Sequence, residues 1–149
     1  MPTSSQDTLH RRVTAVTGRA ARCSFSCAAQ SLLCSAGEVV VLRVTGEVDL
    51  CTLSAVQAAL GQGLAARPAH LLVDLTAMTF CCARGLDLLT QTAHITAGQA
   101  TSFAISGVSP QITRIWALGW DGDLPNLHRS TAAAMATIPG CQERPDIPA

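Results

Sequence analysis

Residues 37–75 read GEVVVLRVTGEVDLCTLSAVQAALGQGLAARPAHLLVDL, and the order of patterns within this stretch decides the fold. Gly37 punctuates the chain, and Val39, Val40, Val41, Leu42 and Val44 then form a nearly continuous apolar run of strand length, the pattern of a central strand buried on both faces. After Gly46 the period changes. Leu53, Val56, Leu60 and Leu64 recur at helical spacing until Pro68 stops them. Leu71, Leu72, Val73 and Leu75 then restore a strand. Two buried strands joined by an amphipathic helix form a parallel crossover unit, and such crossovers are right-handed.

The alternation continues in both directions. Upstream, Cys23, Phe25 and Cys27 alternate as in an edge strand. Downstream, Leu86, Leu89 and Ala93 share a helix face that stops near Gly98, and Phe103, Ala104 and Ile105 make a short buried strand. Ser109 can cap free N–H groups and Pro110 lacks one, so a helix starts there, with Ile112, Ile115 and Trp116 on one face and Arg114 solvated on the other. Trp120, beyond Gly119, is expected to be partly exposed. Residues 124–127 offer a last short strand, and Ser130 caps a final helix built on Ala132, Met135 and Ala136. These elements predict an α/β fold: an open, mixed but mostly parallel sheet of about four or five strands flanked by about four helices. Val41, Leu72, Val73, Phe103 and Ile105 belong in its core. One domain is expected over residues 23–138. Residues 1–22, rich in Ser, Thr, Arg and Ala, and residues 139–149, with three prolines, read as flexible tails.

Composition narrows the function. Of 149 residues 48% are hydrophobic and 13% charged, enough for a packed core without metals or disulfides. All ten basic residues are arginine and ten acidic ones cancel them, so no charge footprint for nucleic acid or an anionic membrane is present. No apolar run approaches the roughly 18 residues of a membrane span. Arg11, Arg12, Arg19 and Arg22 interrupt what would be a signal core, and seven cysteines without a signal point to reduced thiols in the cytoplasm. Cys23, Cys27 and Cys34 lack paired metal-ligand spacings, and His10, His70, His94 and His128 are scattered, so neither a metal nor a cofactor is expected. Nor is an enzyme: no nucleophile–base–acid set and no glycine-rich phosphate loop is found.

Gly46-Glu47-Val48-Asp49 after one strand, Leu72-Val73-Asp74-Leu75 ending the next, Phe80 to Leu86 opening a helix, and Ser106-Gly107-Val108-Ser109-Pro110 before a third helix carry a resemblance. In that order and spacing, over about residues 39–135, the chain resembles the STAS domain family of anti-sigma factor antagonists. The resemblance implies a domain that docks on an anti-sigma factor of the serine-kinase type and so releases a sigma factor to direct transcription. It leaves room for a homodimer. In the family the helix opens with Phe, one variable residue and Asp-Ser-Ser-Gly-Leu, and the partner phosphorylates the second serine. Here Phe80, Cys81, Cys82, Ala83, Arg84, Gly85 and Leu86 occupy those positions, so the phosphosite is degenerate at Arg84 and the usual switch cannot operate there. By the same resemblance Glu47, Asp49, Cys81, Cys82, Ala83, Arg84 and Gly85 form the partner-binding surface.

Each of these residues has local consequences. An aspartate at position 82 could cap the helix, and phosphoserine would meet the positive end of the helix dipole, whereas Arg84 meets it with the wrong sign. For an exposed, flexible arginine that penalty is about 0.3–1 kcal/mol, so the fold survives it. Helix N–H groups and Arg84 would favour a thiolate at Cys81 or Cys82, which opens an alternative function as a thiol-dependent redox protein or sensor. Against it stand the absence of a Cys-x-x-Cys motif and the ordinary role of cysteine as a small buried filler. Small-ligand binding at the loops after the strands is a third, weaker reading. Asp49 either contacts the partner or caps the following helix, and Asp74 is structural, holding the turn before Phe80.

Overall fold

The structure, a computed structural model, describes residues 13–20, 23–119 and 125–140, with side chains from Phe25 onward. In chain order its elements are β1 (Val13–Ala20), β2 (Cys23–Cys34), β3 (Gly37–Val48), α1 (Leu53–Ala65), β4 (His70–Cys81), α2 (Ala83–Gly98), β5 (Ser102–Ser106), α3 (Pro110–Gly119), β6 (Asn126–His128) and α4 (Thr131–Ala136). The strands form one sheet of 6 strands in sequence order. β1, β2 and β3 pair antiparallel, and β3 through β6 pair parallel.

Because the parallel strands are laid down in order, each crossover advances the same way, and a single handedness puts α1, α2 and α3 on one face. Side-chain alternation follows. Val40, Leu42, Val44, Leu71, Val73 and Leu75 pack with Val56 and Leu60 of α1, Leu86 and Leu89 of α2 and Trp116 of α3. Val39, Val41 and Leu72 turn to the other face and meet Ala134 and Met135 of α4 and Ile138 just after it. Cover on both faces is why residues 39–42 read as an unbroken apolar run. The five expected core residues are all buried. Ser109 Oγ accepts from the Ile112 N–H at 3.2 Å and Ser130 Oγ from the Ala133 N–H at 3.1 Å, as their cap chemistry requires. Trp116 is fully buried and Arg114 exposed; Trp120 lies outside the described residues.

Three expectations need correction. Val13–Ala20, inside the stretch read as a tail, is a strand: Val13, Thr14, Val16 and Thr17 are β-branched, and the long β2 offers them an edge. The sheet therefore has a strand more than expected, and β2 is not its edge. Thirdly, β4 does not end at Asp74: the strand runs on through Phe80 to Cys81, and α2 starts at Ala83, within the Phe80–Leu86 stretch expected to open it. Past Asp74 it leaves β5 and pairs with β3 alone, with irregularities after Arg43/Asp74 and after Gly46/Met78. Each inserts one more residue in β4 than in β3, the signature of a β-bulge. Asp74 holds the first bulge instead of a turn, accepting from Thr76 N–H at 2.9 Å, Thr76 Oγ1 at 2.6 Å and Arg43 Nε at 3.2 Å.

Candidate functional site

The extension of β3 and β4 beyond β5 carries the site. Glu47 and Val48 stand opposite Phe80 and Cys81 in the ladder, and the Cys82 N–H continues it by donating to the Val48 carbonyl at 2.8 Å. α2 starts at once, at Ala83. Its first turn lies directly on the strand ends because residue 85 is glycine: a Cβ there would come within 2.8 Å of both Cys81 Sγ and Val48 Cγ1. Leu86 and Leu89 then bury themselves against the sheet, at the spacing the sequence required.

This helix start is electrostatically bare. Cys82, at the N-cap, makes no side-chain cap hydrogen bond, and the first turn contains no acidic residue. Ala83 and Arg84 are exposed. Among the described residues no ion pair joins Arg84 to Glu47, so both charges face solvent. Leu50, 69% exposed, and Phe80, 50% exposed, flank them. The outcome is a surface with two large apolar side chains, a cation and a carboxylate at one end of the sheet.

Asp49 shapes the loop in this surface rather than capping α1. Its Oδ1 accepts from the N–H groups of Cys51 at 2.9 Å and Thr52 at 3.1 Å. Thr52 Oγ1 donates to the Glu47 carbonyl at 2.8 Å and accepts from the Asp49 N–H at 2.9 Å. The loop is thus cross-braced, which turns Glu47 and Leu50 outward. Sequence reasoning missed Thr52 and Leu50; a threonine three residues after an aspartate at a strand end is the signal that could have found the first.

The thiols divide. Burial, and then the neighbouring Cys82, push Cys81 up to about 12, so it is protonated at neutral pH. The expectation that the helix end and Arg84 would make it a thiolate is overturned, because Cys81 packs beneath Gly85 instead of facing the helix terminus. Cys82 is half-buried, Cys51 is exposed, and burial raises Cys27 to about 11. Cys34 is disulfide-bonded, so the expectation of reduced thiols fails at that position. Native-state alkylation read by peptide mass should label Cys51 first, with Cys27 and Cys81 slower by about tenfold or more. Equal rates at Cys51 and Cys81 would contradict the burial described here. Among the described residues no group of three or more His, Cys, Asp or Glu could hold a metal, and no helix is long and apolar enough to cross a membrane.

The family model described as "Mlab, STAS domain" matches residues 32–126, from the end of β2 to the start of β6. The chain belongs to the STAS domain family. This STAS domain is 37% identical over 67 residues to the anti-sigma-F factor antagonist RsfB of Mycobacterium tuberculosis, in strains CDC 1551 / Oshkosh and ATCC 25618 / H37Rv. The match covers 45% of this chain and 54% of the relative, so the chain spans about half the length of the curated relatives it matches. The crystal structure of an anti-sigma factor antagonist from Mycobacterium paratuberculosis superposes with a TM-score of 0.59 at 26% identity, over 85% of this STAS domain chain and 94% of the other. The unphosphorylated form of the anti-sigma factor antagonist SpoIIAA shares the fold, with a TM-score of 0.53 at 17% identity over 69% and 89% of the two chains.

Proposed function

We propose that this STAS domain binds an anti-sigma factor through the surface around Glu47, Leu50, Phe80 and Arg84, and thereby modulates sigma-factor-dependent transcription without the usual serine phosphorylation. The observation that carries the reading is Arg84 itself: an exposed cation on an uncapped helix start, in the position where the family resemblance expects a phosphorylated hydroxyl. The similar proteins are, by name, antagonists of anti-sigma factors. The surface is suited to docking, since exposed Leu50 and Phe80 supply apolar area while Arg84 and Glu47 supply orientation. The partner is of the serine-kinase type, and the complex forms in the cytoplasm. The work of the site is binding and not catalysis. Burial of Cys81, which raises its thiol pKa, counts against a redox role for that one of the two cysteines.

The test uses the anti-sigma-F factor of M. tuberculosis as probe, with and without ATP. Titration calorimetry should detect binding that ATP does not reverse, and Arg84→Glu and Phe80→Ala should each weaken it by about tenfold. Arg84→Ser should restore a phosphoacceptor and make binding ATP-sensitive. Unchanged affinity in both Arg84→Glu and Phe80→Ala would remove this surface as the interface. Phosphate on the exposed Thr79 would mean that the switch has moved instead of vanished; Thr90 is buried and hydrogen-bonded, out of a kinase's reach.

A further inference from the structure

The first turn of α2 lacks the ordinary supports of a helix start. Cys82 gives no cap bond, no acid occupies the turn, and Arg84 opposes the dipole. It is held from behind. The fully buried Trp116 of α3 donates its indole N–H to Thr90 Oγ1 at 2.9 Å, and Thr90 Oγ1 donates to the Leu86 carbonyl at 3.0 Å. An indole nitrogen only donates, so the single proton of the Thr90 hydroxyl is committed to Leu86 and the hydroxyl is fixed from both sides. Leu86 is in turn the residue whose N–H closes the start of the helix, donating to the Cys82 carbonyl at 3.1 Å. The relay from α3 therefore ends on the residue that joins the N-cap to the helix. A buried indole N–H deprived of its acceptor is costly, which gives the relay a single preferred arrangement.

We propose that Trp116, acting through Thr90, is a positioning residue for the first turn of α2, and so fixes where Cys82 and Arg84 stand. That this turn belongs to a docking surface rests on the proposed function above; the positioning itself does not. In effect α3 sets the geometry of the surface through two hydrogen bonds.

Cys82 is a built-in reporter of that geometry. Its alkylation rate in the native protein, read by peptide mass, and amide exchange at residues 86–89 should both rise about fivefold in Trp116→Phe, which keeps the ring and loses the donor. Thr90→Val, which keeps the shape and loses the hydroxyl, should do the same, and the double variant should add little. Thr90→Ser retains the hydroxyl and should behave as the parent protein. Exchange in α4 should be unchanged in all of them. If Trp116→Phe lowers protection evenly across the sheet without a local change at Cys82, or if Thr90→Ser matches Thr90→Val, the positioning role is overturned and Trp116 only fills the core. Affinity for the anti-sigma-F factor, measured on the same variants, separates the two layers. A local change at Cys82 with unaltered binding overturns the docking reading and upholds the positioning; no local change overturns the positioning whatever the binding.

Discussion

Gly107→Ala is expected to lower stability by about 3 kcal/mol, combining a left-handed backbone with a clash that cannot relax. Gly107 follows β5 with φ +78, and an added Cβ would strike Thr76 Oγ1 while lying 2.7 Å and 2.8 Å from the Thr76 nitrogen and Cα. Backbone atoms cannot swing aside as a long side chain can. The Gly107 N–H also donates to the His128 carbonyl at 3.1 Å, so moving the loop away breaks a bond between the last strands. The alternative is to push Thr76, the bulge residue held by Asp74, and with it the strand segment that ends in Phe80 and Cys81. Weakened binding should therefore accompany lost stability. Gly61→Ala in α1 is the control, since nothing lies within 4 Å of the added methyl, and it should be neutral or stabilising by up to about 1 kcal/mol. Urea melts of the two variants that coincide within about 0.5 kcal/mol would refute the close approach.

How far the sequence reached depended on whether the information was local. Residues 39–42 and the Leu86–Leu89 spacing were legible because burial on two faces, or on one helix face, is written into consecutive side chains. The bulges of β4 were not. Their cause lies in the register with β3 and in the bonds of Asp74 to Thr76 and Arg43, partners that no window around Asp74 contains together. For the same reason the continuation of β4 through Phe80 was not legible, although the helix start within the Phe80–Leu86 stretch was. β1 was hidden by composition: arginines and serines around it outweighed four β-branched residues that needed only a neighbouring edge.

The site divides along the same line. Glu47, Arg84 and Gly85 came from resemblance to a family, and the structure supplies the physical reason for Gly85, the contact with Val48 and Cys81. Exposure of Leu50 and Phe80 was not legible, because an apolar residue beside an apolar strand reads as core unless the neighbouring strand is known to stop short. Cys81 was misjudged by the converse error. Proximity in sequence to a helix terminus was taken as proximity in space, whereas the chain turns between Cys81 and Ala83 and leaves the thiol underneath.

Removing the Asp74 carboxylate should have a larger effect than removing any charge on the docking surface. Asp74 is 2% exposed and stands in register with Arg43 on β3 and Ser106 on β5. It accepts from Arg43 and twice from Thr76. One carboxylate thus ties the bulge to β3, and Asp74→Ala removes the acceptor that the Thr76 and Arg43 donors share, for a loss of about 3–5 kcal/mol. Burial alone would raise the carboxyl's pKa, but the bonds from Thr76 and Arg43, with Thr131 nearby, outweigh it and hold the group below the ordinary aspartate value. A folded-state pKa below the unfolded one means that the stabilisation is complete above the unfolded value of about 3.9 and is lost as pH falls through the folded one. The stability difference between the parent protein and Asp74→Ala should accordingly be flat from pH 7 to about 5 and shrink below about 4. Asp74→Asn, which keeps an acceptor and has no proton to bind, should fall between the two at neutral pH and lose that pH dependence. Denaturant melts across this range decide it: a difference that stays constant down to pH 3 would mean that the carboxylate is held by shape and not by its charge.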